Sequence, residues 1–440
     1  MRFFVCKLGC PKNDVDAEYI TARLMASGHE PVENPEEAES IIVNTCGFIL
    51  PAKEESIGEL LRLAQLKGTG SLKTLYASGC FAQRYGDELL REIPELDGAF
   101  GLGALDSIAD AVTNASRLRK PVRVESRHLE YLDWKERAVS DDYPYAYLKI
   151  SDGCNRACSF CAIPAIRGRF RSRPLESILR EAELLAQRGK KELILVSQEA
   201  TLWGFDLPGR PCMITLLQEL ERIERVRWIR LMYLYPSMLT EELIDYLGAD
   251  NKTLDYFDLP LQHCNSEILS SMGRKTDRPG IERLLRLIRS KSQNATIRTV
   301  FIVGFPGETE RQFDELKDFI QEHLFERMGA FAYSREDGTP AGQRPDQIPE
   351  EVIFERLDEL MCLQHDIALD RNNSLIGTTQ EVIIDAIGSD GVALGRTRCD
   401  CPDIDQEVFV HGNGFQAGQF CSVRIEAVDE YDLIGTRLAG

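Results

Sequence analysis

Three of the thirteen cysteines in this 440-residue chain, Cys154, Cys158 and Cys161, form a C-x3-C-x2-C run within KISDGCNRACSFC. Three thiolates on one loop match three irons of a 4Fe-4S cube, whose corners are ordinarily held by four cysteines, and they leave one iron open for another ligand. Structural zinc is the competing reading. Closed zinc sites take four protein ligands, however, and no histidine or fourth cysteine lies nearby in the sequence. A second trio, Cys10, Cys46 and Cys80, is scattered through GCPKN, NTCGFI and SGCFA, each a few residues past a β-rich run. Taken alone, these three are as readily buried core residues as converging cluster ligands. Their neighbours Gly9, Gly47 and Gly79 would let the backbone turn closely around a cluster. Cys6, Cys212, Cys264, Cys362 and Cys421 are expected in the core, and the Cys399 and Cys401 pair in RTRCDCPD lacks the further ligands of a metal site.

The elements that must position these thiols follow from hydrophobic patterning. Strand-like runs at Arg2 to Val5, Ser40 to Val43 and Thr74 to Ala77 alternate with helical ones near Ala17 to Ser27 and Ala52 to Gln65, as in a parallel α/β sheet. The carboxyl ends of parallel strands share one edge, so the scattered trio can meet there. A charged, irregular stretch over 119–142 reads as a linker. Six further strands are expected at Tyr145 to Ile150, Glu192 to Ser197, Trp228 to Leu234, Tyr256 to Leu261, Thr296 to Val303 and Met328 to Tyr333. Most are separated by helices, which gives a partial (β/α) barrel with its functional groups at the strands' carboxyl ends. A bridging helix begins at Pro349 and runs to about Arg371. From Thr379 onward, short β runs broken by Gly and Asp point to a small β-barrel.

Composition narrows the function. Without a signal peptide, so many cysteines point to metal or redox chemistry rather than disulfides. No run approaches the roughly 18 apolar residues of a membrane helix, and MRFFVCKLGCPKND is not a leader. A cytoplasmic protein with no membrane partner is expected. The net charge of -19 opposes grip on a phosphate backbone and favours a basic protein partner. From Leu375 to Gly440 eleven acidic residues face only four basic ones, which strengthens that expectation for the last barrel.

The C-x3-C-x2-C run after the first strand of an incomplete barrel resembles the radical S-adenosylmethionine superfamily. There the open iron chelates the amino and carboxylate groups of the cofactor's methionine, and an electron from the reduced cluster splits the sulfonium to a 5'-deoxyadenosyl radical. Two cysteine trios in one chain resemble the methylthiotransferase family within that superfamily. The resemblance implies an amino-terminal domain over 1–118 with an auxiliary 4Fe-4S cluster on Cys10, Cys46 and Cys80. It also implies a radical barrel with its bridging helix over 143–372, whose cluster sits on Cys154, Cys158 and Cys161, and a TRAM barrel over 373–440. S-adenosylmethionine would serve as both methyl donor and radical source, with an external low-potential electron donor.

KLGCPKNDVDAE, VNTCGFI, DLPLQH, FIVGFPGETE and DEYDLIGTR are similar to the branch of the family that modifies an aspartate of small-subunit ribosomal protein S-twelve, free or on the ribosome. The tRNA-modifying branch typically carries Gln and Met where this chain has Pro11 and Lys12, so tRNA is not the expected partner.

Weaker candidates lie at other strand ends. Gly304, Pro306, Gly307 and Glu308 resemble the superfamily's Gly-x-Pro-Gly-Glu run and are expected to contact the cofactor, although an ordinary strand-to-helix turn favours the same residues. Gln198, Gln262 and His263 are expected to line the pocket, with a structural role for His263 as the alternative. Arg167, Arg169, Arg171 and Arg173 in RGRFRSRP could contact the cofactor carboxylate, a substrate acid or solvent, and solvent is the expected surrounding.

Overall fold

The β-rich runs and the helices between them assemble as three successive layers of architecture in the computed structural model, which describes residues 1–114, 122–123 and 136–438. The linker expected over 119–142 lies outside the described residues except at 122–123 and 136–142. The first unit is a six-stranded sheet of β1 (Arg2–Lys7), β2 (Glu30–Pro31), β3 (Ser40–Thr45), β4 (Thr74–Ser78), β5 (Gly98–Phe100) and β6 (Val122–Arg123), in the order β2-β1-β3-β4-β5-β6. Every pairing is parallel. The helices α1 (Pro11–Ala26), α2 (Leu50–Ala64), α3 (Leu66–Thr69), α4 (Gly79–Glu92) and α5 (Leu105–Thr113) connect the strands. Separate apolar cores form around Ile41, Val43 and Leu75 and around Ile20, Ile42 and Ile108. Strand β3 is buried along its whole length, as a central parallel strand covered on both faces must be.

The second unit contains β7 (Tyr145–Lys149), the short pair β8 (Ser151–Asp152) and β9 (Arg171–Ser172), then β10 (Glu192–Val196), β11 (Trp228–Leu231), β12 (Tyr256–Gln262), β13 (Thr296–Val303) and β14 (Arg327–Ala332). Two parallel three-stranded sheets, β7-β10-β11 and β12-β13-β14, make an arc. They meet through an isolated bridge from Ile229 to Thr253 and a 2.9 Å bond from the Leu234 amide to the Asp258 carbonyl. The outer helices are α6 (Ile163–Arg167), α7 (Leu175–Gln187), α8 (Met213–Glu221), α9 (Glu241–Leu247), α10 (Ser266–Ser271), α11 (Arg278–Lys291) and α12 (Glu310–His323). Local chemistry starts several of them. Thr309 and Gln312 form a reciprocal capping box on α12, and Asp277 with Pro279 opens α11.

Helix α13 (Glu350–Ser374) leads to a closed five-stranded barrel of β15 (Thr379–Ile387), β16 (Ala393–Thr397), β17 (Val408–His411), β18 (Phe420–Asp429) and β19 (Asp432–Arg437). The last strand was not among the expected β runs.

Much of this barrel's acidic excess is spent inside the molecule rather than held out for a partner. Asp400 pairs with Arg327 at 2.5 Å, Asp405 with Arg298 at 3.4 Å, and Glu381 with Arg227. Asp403 accepts from Tyr145 and Tyr147, while Asp385 binds Arg396 at 2.6 Å. Of the eleven acids, Asp390, Glu426, Asp429 and Glu430 are the ones that remain exposed without such an arginine or tyrosine. The charge argument for a basic docking partner is reduced accordingly.

Candidate functional site

Cys10 lies three residues beyond β1, Cys46 follows β3 directly, and Cys80 sits in the first turn of α4 after β4. Because β1, β3 and β4 are adjacent and parallel, their carboxyl ends bring the three thiols to one edge. The glycines permit the approach of these segments to each other. A Cβ on Gly9, whose φ is +93°, would lie 2.7 Å from that of Cys46, and one on Gly47 would lie 2.7 Å from the Phe81 Cα. Cys46 and Cys80 are buried and Cys10 half-buried. Burial pushes the Cys80 thiol up to about 12 and raises that of Cys46 as well.

Cys154, Cys158 and Cys161 lie on the loop after β8. The Cys154 amide donates to the Gly168 carbonyl at 3.1 Å, and the Cys161 amide to the Cys158 carbonyl at 3.2 Å, which folds the loop into a tight turn. Burial pushes Cys154 up to about 11 and Cys161 up to about 12. Two arginines that patterning did not single out flank this loop. Arg156 pairs with Glu199, and its guanidinium lies 4.0 Å from the Tyr235 ring centre; that of Arg274 lies 4.3 Å from the same ring. Arg274 also reaches the Cys158 sulfur at 3.9 Å. Positive charge next to the thiols favours their ionised, metal-binding form.

The two trios are neighbours. Cys80 packs in one buried cluster with Leu102, Ala162 and Ile166, and Ala162 directly follows Cys161. Asn13 links them by hydrogen bonds, since its side-chain oxygen accepts from Arg167 at 2.8 Å and from the Cys80 thiol at 3.7 Å. Arg167 is held in turn by Asp152 at 3.1 Å and Asp16 at 3.2 Å. Lys12 reaches past the amino-terminal sheet to the ends of β10 and β11, 3.4 Å from the Ser197 carbonyl and 3.5 Å from the Tyr233 ring centre. Arg167 and Arg173 are thus buried structural cations, the latter paired with Glu181, and not the solvent-facing residues expected. Of the four arginines in that run, Arg169 is exposed.

At the strand ends, Gln198 has both amide atoms buried and unpartnered, as has the Ser197 hydroxyl. Buried polar groups without protein partners mark a place where a polar ligand can supply them. Tyr233 and Gln262 both adopt left-handed backbone, with φ of 61° and 73°, a strain that side-chain-bearing residues carry chiefly at functional sites.

His263 and Glu308 are held by partners within the protein. His263 is fully buried, accepts from the Asn265 amide at Nδ1 (2.9 Å) and faces Glu308 at 3.4 Å through Nε2. Glu308 also takes the Gly304 amide and Arg356. A Cβ on Gly304 (φ +76°) would overlap Ile353 of α13, and one on Gly307 would lie 2.6 Å from an Asp346 carboxylate oxygen. Pro306 is buried.

Among the described residues no three His, Cys, Asp or Glu side chains lie close enough to share one metal ion. A cubane spreads its three thiolates over three irons, a wider spacing than a single ion requires. Both trios have the donor chemistry, burial and adjoining arginines that suit such clusters. Cys401 is buried, and Cys212 and Cys362 are exposed rather than in the core. No helix among the described residues is long and apolar enough to cross a membrane.

Residues 148–320 match the family model described as the radical SAM superfamily, residues 2–101 that of "Uncharacterized protein family UPF0004", and residues 376–438 that of the TRAM domain. The chain is 44% identical over 429 residues to "Ribosomal protein uS12 methylthiotransferase RimO" of Clostridioides difficile, covering 97% of each chain. It is 43% identical over 433 residues to the protein of the same name from Desulfitobacterium hafniense, covering 98% of this chain and 97% of the relative. Among solved structures it is similar in fold to the radical S-adenosylmethionine methyltransferase TsrM of Kitasatospora setae, with a TM-score of 0.55 at 19% identity over 78% of this chain and 76% of that one. The cobalamin-dependent radical enzyme OxsB gives a TM-score of 0.52 at 13% identity over 83% of this chain and 57% of that one.

Proposed function

The chain belongs to the RimO family of radical S-adenosylmethionine methylthiotransferases, and from that membership we propose that it adds a methylthio group to the β-carbon of an aspartate in ribosomal protein uS12. The family uses two 4Fe-4S clusters and S-adenosylmethionine. We assign Cys154, Cys158 and Cys161 to the cluster that engages the cofactor, and Cys10, Cys46 and Cys80 to the auxiliary one. Bound there, these groups supply a 5'-deoxyadenosyl radical to remove hydrogen and a sulfur to replace it, chemistry that no side chain can provide at an unactivated carbon.

The protein's contribution is position. The observation that supports the reading is that the two thiol trios are neighbours, tied by Asn13 and Arg167 and by the packing of Cys80 beside Ala162. A carbon held between neighbouring trios would need no long migration between hydrogen removal and sulfur delivery. Among the described residues, Gln198 and Ser197 present unpartnered buried polar atoms at the end of β10, where a polar ligand can supply partners. Arg156 and Arg274 balance the charge of the central loop, while His263 and Glu308 fix the end of β12 against the turn after β13. Reduction of the clusters calls for an external low-potential donor.

The test offers anaerobically reconstituted, reduced enzyme S-adenosylmethionine and sulfide with uS12 and tRNA together. Mass spectrometry should find the methylthio increment on the uS12 aspartate. An increment on a tRNA adenosine instead would overturn the substrate assignment and keep the two-cluster chemistry.

A further inference from the structure

Among the described residues, Lys12 is a buried cation without a carboxylate partner. The residue is 7% exposed, and its ammonium lies 3.4 Å from the Ser197 carbonyl and 3.5 Å from the Tyr233 ring centre, with the Tyr233 hydroxyl and the Cys10 thiol as its further electrostatic neighbours. Adjacent cations are matched differently. Lys149 is paired with Asp16, and Arg167 with both Asp16 and Asp152. Among the described residues no carboxylate forms an ion pair with Lys12. Removing an ammonium from water is costly unless an anion meets it, and a long carbonyl bond with one tyrosine is weak compensation beside a carboxylate. The fold nevertheless directs this side chain from α1 into the ends of β10 and β11. A second observation points to a ligand at the same strand end: among the described residues, the hydroxyl of Ser197, whose carbonyl Lys12 contacts, is buried without a partner, and so are both amide atoms of the adjacent Gln198.

We propose that Lys12 binds the side-chain carboxylate of the substrate aspartate and so selects an acidic residue over a neutral one. The inference rests on the substrate reading given above. The carbon to be modified is bonded directly to that carboxylate, so fixing the carboxylate at Lys12 fixes the reacting carbon to within one bond. Lys12 is two residues from Cys10, which places the anchored carbon beside the trio assigned to sulfur handling. Ser197 and Gln198 then offer a hydroxyl and an amide for the remaining carboxylate lone pairs. The competing role for Lys12 is to offset the charge of the neighbouring thiolates alone, and it makes no demand on the substrate.

The experiment compares uS12 with a uS12 variant carrying asparagine at the modified aspartate, using reconstituted holoenzyme in wild-type, Lys12→Met and Lys12→Arg forms. Iron content and melting temperature confirm that each form is loaded and folded. Wild-type enzyme should prefer the aspartate protein by at least about a hundredfold in kcat/KM, as expected when a buried charge loses its partner. Lys12→Met should reduce that ratio to within about threefold, and Lys12→Arg should keep most of it. A Lys12→Met enzyme that retains the wild-type ratio overturns the role of Lys12 while leaving the substrate reading intact. A wild-type ratio near one overturns the proposal whatever the variants do. Wild-type enzyme that leaves uS12 unmodified overturns the substrate reading, and this inference with it.

Discussion

A thiol buried as deeply as Cys80, with its proton held up to about 12, is neither a ready nucleophile nor a ready anion until a metal displaces the proton. The same holds for Cys161 at about 12 and Cys154 at about 11. Replacing any of Cys154, Cys158 or Cys161 with Ala should therefore abolish reductive cleavage of S-adenosylmethionine, followed as 5'-deoxyadenosine by chromatography; undiminished cleavage in all three variants would remove the assignment. Cys80→Ala should separate the two trios. It should leave cleavage measurable but stop methylthio transfer, and transfer at the wild-type rate would show that the trio does not handle sulfur. Cys154, Cys158 and Cys161 stand out in the sequence because C-x3-C-x2-C is a specific spacing, whereas Cys10, Cys46 and Cys80 are singled out by the family resemblance. The roles of Lys12, Arg156 and Arg274 were not legible. A lone cation in a polar run carries no such signature, and its meaning comes from an aromatic ring or a carbonyl supplied by a distant strand.

At the scale of elements, the turn after β13 tests how far packing rather than ligand contact explains a glycine. Gly304 combines a φ of +76° with a Cβ position already filled by Ile353. Gly304→Ala should destabilise the protein by about 1–3 kcal/mol, read as a lowered melting temperature. Ile353→Ala should cost about 2–5 kcal/mol by itself. The double variant should lose less than the two together, since the two side chains compete for one space; strictly additive losses would show that Ile353 does not constrain this turn.

The strands were read largely correctly because β-branched and apolar runs bounded by turns announce themselves, as at Thr296–Val303. Besides the short strands β2, β5, β6, β8 and β9, which patterning did not mark, two features were hidden. Helix α1 begins at Pro11, six residues before the expected start near Ala17, because Lys12, Asn13 and Asp16 are buried polar residues that serve partners outside the helix and break the apolar period. Strand β19 was missed because it contains Gly435, a residue that usually weakens a strand. Here a Cβ would lie 2.5 Å from the Arg424 carbonyl oxygen, so only glycine allows the neighbouring strand to approach.

Across the whole molecule, the same acidic residues that suggested a docking surface instead join the two barrels. At the centre of that joint Glu192 is fully buried between Arg230 at 2.8 Å and Arg396 at 2.8 Å, while Arg230 also donates to the Arg398 carbonyl at 3.0 Å. Burial alone would raise the Glu192 carboxyl, but the Arg396 and Arg230 guanidiniums outweigh it and hold the group below its ordinary value of 4.5. A carboxyl whose folded value is depressed stabilises the folded state fully above its unfolded value, and that contribution fades as pH falls from about 4.5 through the folded value. Acid should therefore weaken the wild-type protein more steeply than Glu192→Gln, which carries no titrating group there. Urea midpoints measured at pH 7 and again near pH 4 should differ more for the wild type than for the variant. At pH 7 the variant should already be less stable by about 3–5 kcal/mol, because two buried guanidiniums lose their shared anion. Equal pH dependence in the two proteins would mean that this triad does not carry the joint between the barrels.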